Sequence, residues 1–172
     1  MKFPIFFLTL LLATATMGCA QDIAWSSIIN DIRSKYSDVE HISADSLAMW
    51  LESSEEQVPV LLDVREKKEY AVSHLPGAIQ IDPNAKRFKK LADLPKDTPI
   101  VAYCSVGYRS SEMARRLQKA GFTNVSNLEG SIFTWANEAH PVFSDSTEVY
   151  GVHPYNGVWG KLLQPKLRKY DP

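Results

Sequence analysis

Five short strand-like segments alternate with segments of helical periodicity, and this alternation constrains the fold more than any other feature. The strand-like segments span residues 39–43, 58–62, 78–81, 100–103 and 125–128. The segment 58–62 is continuously apolar, which is typical of a strand buried on both faces of a parallel sheet. Strands that alternate with helices predict an α/β fold with a five-stranded, mainly parallel sheet.

The spacing of apolar residues predicts helices around these strands. The predicted helices span residues 24–36, 43–51, 66–72, 84–91 and 110–120, and a further helix opens at Glu129-Gly130-Ser131. Gly121 follows one of them at a position where glycine commonly ends a helix. The helix over 84–91 carries Lys86, Arg87, Lys89 and Lys90. These cations indicate a solvated face rather than an anion site.

Cys104 stands where the fourth predicted strand ends and the next helix approaches. Ligand sites of parallel sheets lie at the carboxyl ends of strands. The residues that follow are Ser105, Val106, Gly107, Tyr108, Arg109 and Ser110. Backbone N–H groups of such a loop favour an anion, and the same field lowers the pKa of a thiol. The pattern therefore predicts a nucleophilic thiolate rather than a small buried hydrophobic residue.

Residues 1–20 have the pattern of an export signal. Lys2 is followed by an uncharged, largely apolar stretch over residues 3–15. This stretch is too short for a typical membrane span, so a signal peptide is favoured over an uncleaved anchor. We therefore expect an exported protein, located in a bacterial periplasm or anchored to a membrane.

Two cleavage sites compete at the end of this segment. Thr16-Met17-Gly18-Cys19 resembles the lipobox of bacterial lipoproteins, although Thr16 replaces the usual large aliphatic residue. Lipidation of Cys19 would attach the protein to a membrane. The alternative is ordinary cleavage after Ala20, which has a small residue at Gly18. We favour the lipoprotein and keep the second site as its alternative.

The cysteine count strengthens the functional interpretation of Cys104. The chain has 172 residues and only two cysteines, Cys19 and Cys104. Lipidation or removal of Cys19 leaves one free thiol, which is a liability in an oxidising compartment unless it has a function. One cysteine and four scattered histidines predict no zinc site. A net charge of -1 excludes the broad basic field of a nucleic-acid-binding protein.

Two extensions flank the predicted domain. Residues 21–40 form a helical N-terminal extension, and residues 143–172 form a C-terminal extension. The second extension is rich in aromatic residues and glycine between Tyr150 and Gly160 and then becomes basic. A strap packed on the domain is favoured, because exposed aromatic patches are unusual. The alternative is a docking surface for a protein partner.

The middle of the chain resembles the single-domain rhodanese-like sulfurtransferases. The residues that carry this resemblance are Leu62-Asp63-Val64-Arg65-Glu66, Glu69-Tyr70, His74-Leu75-Pro76-Gly77-Ala78, the Cys104 loop, Gly121-Phe122, Leu128-Glu129-Gly130 and Trp135. Each motif alone is weak, but their order and spacing together are specific. The resemblance implies a rhodanese-like domain over residues 41–142 with helices on both faces of the sheet.

Rhodanese-like folds also host phosphatases, and the length of the loop separates the two activities. Cys104 and Arg109 have C-x4-R spacing. The related phosphatases use C-x5-R, whose extra residue widens the loop to hold phosphate. The shorter loop favours the outer sulfur of a persulfide. Phosphatase or arsenate reductase activity is the less favoured alternative.

The resemblance implies a thiosulfate or persulfide sulfurtransferase that requires no cofactor. Cys104 would take sulfane sulfur from thiosulfate, a persulfide or a polysulfide, and pass it to a thiol or cyanide. The loop from Ser105 to Ser110 would hold the persulfide, while Val106 and Tyr108 shape the pocket. A non-enzymatic sulfur carrier or partner-binding module is the alternative.

The charged residues near the loop have expected supporting roles. Arg109 either binds an anionic donor or pairs with an interior carboxylate, and the resemblance favours the pair. Asp63 is the expected partner, with Glu129 as the alternative. Arg65 either meets an anionic donor at the pocket mouth or forms a surface or helix-start salt bridge. His74 lies beside a Pro-Gly turn and is expected to be structural rather than a base.

Mass spectrometry of the mature N-terminus tests the lipoprotein prediction. We expect the protein, expressed in a bacterium that processes lipoproteins, to begin at an acylated Cys19. Cys19→Ala provides the control, because it abolishes lipidation without altering the apolar stretch. A mature chain that begins at Gln21 would show cleavage after Ala20 and contradict the prediction.

Overall fold

A computed structural model describes residues 25–53 and 57–172, and its centre is a five-stranded sheet. The strands are β1 (Glu40–Ile42), β2 (Val60–Asp63), β3 (Ile79–Gln80), β4 (Ile100–Tyr103) and β5 (Val125–Leu128). Their order is β1-β5-β4-β2-β3, and every neighbouring pair is parallel. The predicted α/β fold and its five-stranded sheet are confirmed.

The predicted export signal, with Cys19 and Ala20, lies outside the described residues. In the part of the chain that the structure does describe, no helix has the length and apolar character needed to span a membrane.

Within residues 25–53 and 57–172, five α-helices surround the sheet. They are α1 (residues 25–35), α2 (Ala44–Glu52), α3 (Lys67–Val72), α4 (Tyr108–Lys119) and α5 (Ser131–Asn137). Alternate residues of a strand face opposite sides of the sheet. Accordingly Val101 packs in a cluster with α2 and α5, whereas Ala102 packs in a second cluster with α1 and α4. Both faces of the sheet are therefore covered by helices.

The predicted helix over residues 84–91 is wrong. A single 3-10 turn, Lys89–Leu91, is the only helical structure in this range. The residues that face the protein are Ala85, Phe88 and Leu91, which repeat every three residues and therefore suit 3-10 turns better than an α-helix. The four cations of the segment are exposed, as expected for a solvated face.

Residues 143–172, called here the C-terminal strap, pack against the domain. A short antiparallel hairpin pairs β6 (Val142–Ser144) with β7 (Thr147–Val149), and two 3-10 turns follow at Trp159–Leu162 and Pro165–Leu167. The buried apolar residues of the strap belong to the same cluster as α2 and α5; they are Val152, Leu162, Leu163 and Leu167. The strap thus completes the apolar core on that face.

A matched pair of substitutions tests whether the strap stabilises the domain. Val152 is fully buried, whereas Val158 is 73% exposed. We expect Val152→Ala to lower the free energy of unfolding by about 2 kcal/mol through lost burial and a residual cavity. Val158→Ala should change it by less than about 0.5 kcal/mol. Equal effects in urea denaturation would contradict a strap that packs as part of the core.

Candidate active site

The Cys104 loop joins the carboxyl end of β4 to the start of α4 and wraps around the sulfur. The N–H of Gly107 donates to Cys104 Sγ at 3.1 Å, and the hydroxyl of Ser110 lies 3.5 Å from it. Ser131, the first residue of α5, accepts a hydrogen bond from the N–H of Cys104. The thiol is 1% exposed. The loop therefore encloses the sulfur and directs hydrogen-bond donors at it.

Gly107 is required by the shape of this loop. Its φ of +125° is rarely adopted by residues with side chains. A Cβ atom there would lie 3.0 Å from Cδ1 of Ile32 in α1. The glycine thus permits both the backbone conformation that directs an N–H at the sulfur and the close packing of α1.

Arg109 is held by a buried carboxylate that the sequence reasoning did not propose as its partner. Its two terminal nitrogens each donate to Glu69 at 2.9 Å, and one of them also donates to Ser105 Oγ at 2.9 Å. Glu69 is fully buried and also accepts from the N–H of Glu66 at the start of α3. The prediction of an interior carboxylate partner is confirmed, but both Asp63 and Glu129 were wrong as that partner.

Asp63 and Glu129 each pair with another arginine. Asp63 binds Arg65 through Nε at 2.9 Å and Nη2 at 2.6 Å, and both side chains are fully buried. The placement of Arg65 at the pocket mouth was therefore wrong. Its alternative was a surface or helix-start salt bridge; the surface position was wrong, but a salt bridge does form two residues before α3 begins. Side chains two residues apart in an extended chain point to the same side, so the side chains of Asp63 and Arg65 can form an ion pair with each other. Glu129 pairs with Arg33 of α1 at the protein surface.

The surroundings of Cys104 favour its thiolate. Burial by itself raises the pKa of the thiol, but three groups outweigh it. They are the positive charge of Arg109, the hydroxyl and N–H of Ser110, and the N–H of Gly107. The pKa of Cys104 is therefore lowered from its ordinary value. The predicted activated thiol thus has a physical basis in the loop.

Glu69 keeps Arg109 charged and in place. Burial alone would raise the pKa of its carboxyl group, but the hydrogen bonds and charge of Arg109 lower it overall. In return, the pKa of Arg109 is raised despite its own burial, mainly by the hydrogen bonds to Glu69. The guanidinium therefore stays positive beside the sulfur.

A small cavity opens beside the thiol. Its volume is about 130 Å³, and its lining residues are Cys104, Ser105, Val106, Tyr108, Arg109, Tyr155 and Trp159. Val106 and Tyr108 line it as predicted. Tyr155 and Trp159 belong to the C-terminal strap, whose residues show no periodicity by which they could be assigned to the site. The cavity is of a size to admit a small molecule to the sulfur.

Histidines take no part in this loop. The ring of His74 is buried against Tyr70, with centroids 4.1 Å apart, and its Nδ1 lies 2.9 Å from the carbonyl oxygen of Leu75. These contacts fit its predicted structural role. Among residues 25–53 and 57–172, one group has ligand atoms close enough to share a metal ion, namely Asp45, Glu138 and His140. That group excludes Cys104.

Comparison with known proteins identifies one family. The sequence model of the rhodanese-like domain family matches residues 43–138, which lie within the predicted domain of 41–142. A sulfurtransferase from Allochromatium vinosum is 32% identical over 104 residues, which cover 60% of this chain and 94% of that protein. A rhodanese-related protein from Thermoplasma volcanium has a similar structure, with a TM-score of 0.52 and 28% identity over 61% of this chain and 98% of its own.

Some relatives are much longer than the matched region. The probable adenylyltransferase/sulfurtransferase MoeZ of Mycobacterium tuberculosis is 36% identical over 102 residues, which cover 58% of this chain. The match spans only 25% of that relative. The similarity there is confined to one part of a longer protein.

Two neighbouring serines allow a controlled test of the thiolate environment. Ser110 and Ser111 are both buried, but Ser111 donates to the carbonyl oxygen of Gly107 at 2.8 Å, whereas the hydroxyl of Ser110 lies 3.5 Å from the sulfur and 2.6 Å from Oδ1 of Asn127. We expect Ser110→Ala to raise the pKa of Cys104 by about one unit, the worth of one hydrogen bond to a charged group.

The rate of alkylation by iodoacetamide, measured against pH, reports this pKa. The wild-type midpoint should lie below about 8.5, the ordinary value for a thiol. Ser111→Ala should leave it unchanged. A midpoint at or above the ordinary value, or equal shifts in the two variants, would contradict a thiolate stabilised by Ser110.

Proposed function

The chain belongs to the rhodanese-like domain family, and we propose that it is a sulfurtransferase that carries sulfane sulfur on Cys104. The observation that supports this most strongly is the enclosure of Cys104 Sγ by the N–H of Gly107 and the hydroxyl of Ser110, beside the charge of Arg109. This setting stabilises a thiolate before reaction and would stabilise a persulfide anion after it. One thiol and a cradle of donors suffice for the chemistry.

In the first step, the Cys104 thiolate attacks the outer sulfur of the donor. With thiosulfate, a new S–S bond forms to Cys104, the S–S bond of the donor breaks, and sulfite leaves with the bonding electron pair. The product is the anion Cys104–S–S⁻. The total charge is unchanged, and the loop that held the thiolate now holds the outer sulfur.

In the second step, a nucleophilic acceptor removes the outer sulfur. The acceptor, a thiolate or cyanide, attacks this sulfur, and the electrons of the S–S bond return to Cys104. The thiolate is regenerated, so the cycle is ping-pong and requires no external base. The low pKa of Cys104 helps here as well, because it makes the cysteine a better leaving group.

The position of Arg109 disfavours phosphatase chemistry. Both terminal nitrogens of its guanidinium are bound by Glu69, and one also by Ser105. Three of its five N–H donors are therefore already bound by protein oxygens. Together with the C-x4-R spacing, this arrangement favours a sulfur-sized site over a phosphate-sized one.

A binding module without catalysis is the second candidate. The buried thiol would then serve as a carrier that receives sulfur from one protein and yields it to another. Retention of Cys104, with donors aimed at its sulfur, favours turnover over simple docking. The two candidates differ in whether small acceptors such as cyanide complete the cycle.

Intact mass measurement tests the proposed intermediate. We expect the purified protein, incubated with thiosulfate or polysulfide, to gain the mass of one sulfur atom, because the loop stabilises Cys104–S–S⁻. Cys104→Ser, a matched variant that keeps the size of the side chain, should gain none. Addition of cyanide should remove the extra sulfur as thiocyanate.

Three outcomes would contradict this function. Wild-type protein that gains no sulfur from either donor would exclude a Cys104 persulfide. Hydrolysis of an aryl phosphate that is lost in Cys104→Ser would instead favour the phosphatase. Loading without release to cyanide would favour the sulfur carrier.

A further inference from the structure

The outer wall of the cavity at Cys104 is built by the C-terminal strap. Tyr155 and Trp159 line the cavity, yet both lie beyond residues 43–138, which match the family model. The ring of Tyr155 covers the guanidinium of Arg109, with Cζ 4.8 Å from the ring centroid. Trp159 packs edge-on against Tyr108 with centroids 6.0 Å apart. This wall is therefore an addition of this chain to the matched domain.

The backbone at Tyr155 is held in a conformation that this residue type rarely adopts. Its φ is +63°, in the left-handed region that favours glycine. Two contacts fix it: the N–H of Tyr155 donates to Nδ1 of His153 at 3.1 Å, and the N–H of Asn156 donates to the carbonyl oxygen of Pro154 at 2.7 Å. Strain of this kind is commonly retained where it positions a functional group. Here it directs an aromatic ring over the cavity.

The strap residues that line the cavity bring no cation to it. Arg109 is the only cation among the lining residues, and its guanidinium is bound by Glu69 and covered by Tyr155. The neighbouring depression is lined by Arg109 together with two carboxylates, those of Glu66 and Glu112. Lys68 is paired with Glu66 at 3.1 Å, and Lys35 Nζ lies 5.9 Å from the ring centroid of Tyr108. Tyr155 and Trp159 themselves offer the sulfonate end of thiosulfate aromatic surface and no cation.

We infer that Tyr155 and Trp159 make the site selective for organic persulfides with an uncharged apolar substituent, over the thiosulfate dianion. This inference rests on the proposed transfer of sulfur to Cys104. In the step, Cys104–S⁻ and R–S–S–H give Cys104–S–S⁻ and R–S–H. The donor S–S bond breaks, its electron pair stays on the inner sulfur, and the donor proton moves to that sulfur.

The wall discriminates by the chemistry of the group that leaves. The faces of aromatic rings carry negative charge density, so they repel a sulfonate and accept an apolar group. A sulfonate forced against them would lose hydration without gaining a partner, which is costly. An apolar substituent instead gains burial. The cavity of about 130 Å³ is comparable with apolar cavities of roughly 150 Å³ that bind benzene.

Three donors separate the effect of the wall from the reactivity of the donor. Benzyl persulfide and methyl persulfide share the same reacting S–S bond and differ in the size of the apolar group. Thiosulfate carries a charged sulfonate in place of that group. We expect kcat/KM for wild-type protein to be about tenfold higher with benzyl than with methyl persulfide, a difference of about 1.4 kcal/mol. Thiosulfate should be the poorest of the three.

Substitution of the wall should remove this preference. Tyr155→Ala and Trp159→Ala should each lower the benzyl-to-methyl ratio of kcat/KM at least about threefold and should raise kcat/KM for thiosulfate relative to that for benzyl persulfide. Tyr150→Ala is the matched control, since it removes an aromatic ring of the strap that is 63% exposed and does not line the cavity. Tyr155 is itself 41% exposed, so Tyr155→Ala decides the test if Trp159→Ala unfolds.

The possible failures are distinguishable. Unchanged ratios in the wall variants, or an equal loss with all three donors, would overturn the inference and leave sulfur transfer intact. A wild-type protein that no donor converts to the Cys104 persulfide would overturn the proposed function itself.

Discussion

The ion pair between Arg109 and Glu69 is the interaction on which the site depends. It joins the first turn of α4 to the first turn of α3, so it fixes the end of the Cys104 loop to a neighbouring element. The positive charge of Arg109 lowers the pKa of Cys104. The carboxylate is fully buried, and loss of its partner would leave a buried charge uncompensated, at a cost of about 3–5 kcal/mol. The same guanidinium supports the ring of Tyr155 from the strap.

The parallel sheet explains why two separate ion pairs form so close together. Strands β2 and β4 end side by side, with Asp63 paired in register with Tyr103. Asp63 and Arg65 form one pair at the end of β2, and Arg65 also donates to the carbonyl oxygen of Ser73, which follows the α3 helix that supplies Glu69 for the other pair. The charged side chains of both pairs therefore bind each other, and the backbone N–H groups of the Cys104 loop remain available to bind the sulfur. The α1 helix and the strap then pack against this loop from either side, through Ile32 and Trp159.

Local patterns were sufficient to predict the strands, the α4 helix and the Cys104 loop, because apolar runs and the position of glycine reflect short-range constraints. They could not choose the partner of Arg109. Several carboxylates gather at the ends of the strands, and only three-dimensional packing separates Glu69 from Asp63. The contribution of Tyr155 was equally hidden, since it depends on a left-handed backbone conformation in a segment without periodicity. The prediction of a helix over residues 84–91 was wrong because the apolar residues there repeat every three positions, which suits 3-10 turns rather than an α-helix.

The central claim is that sulfur passes through Cys104, and following a labelled atom tests it most directly. The measurement is a single turnover with a small persulfide radiolabelled in its outer sulfur, followed by peptide mapping and then by addition of an acceptor thiol. The account predicts that the label first resides on the peptide containing Cys104 and then moves to the acceptor in equal amount. Label that reaches the acceptor without ever residing on that peptide would contradict it.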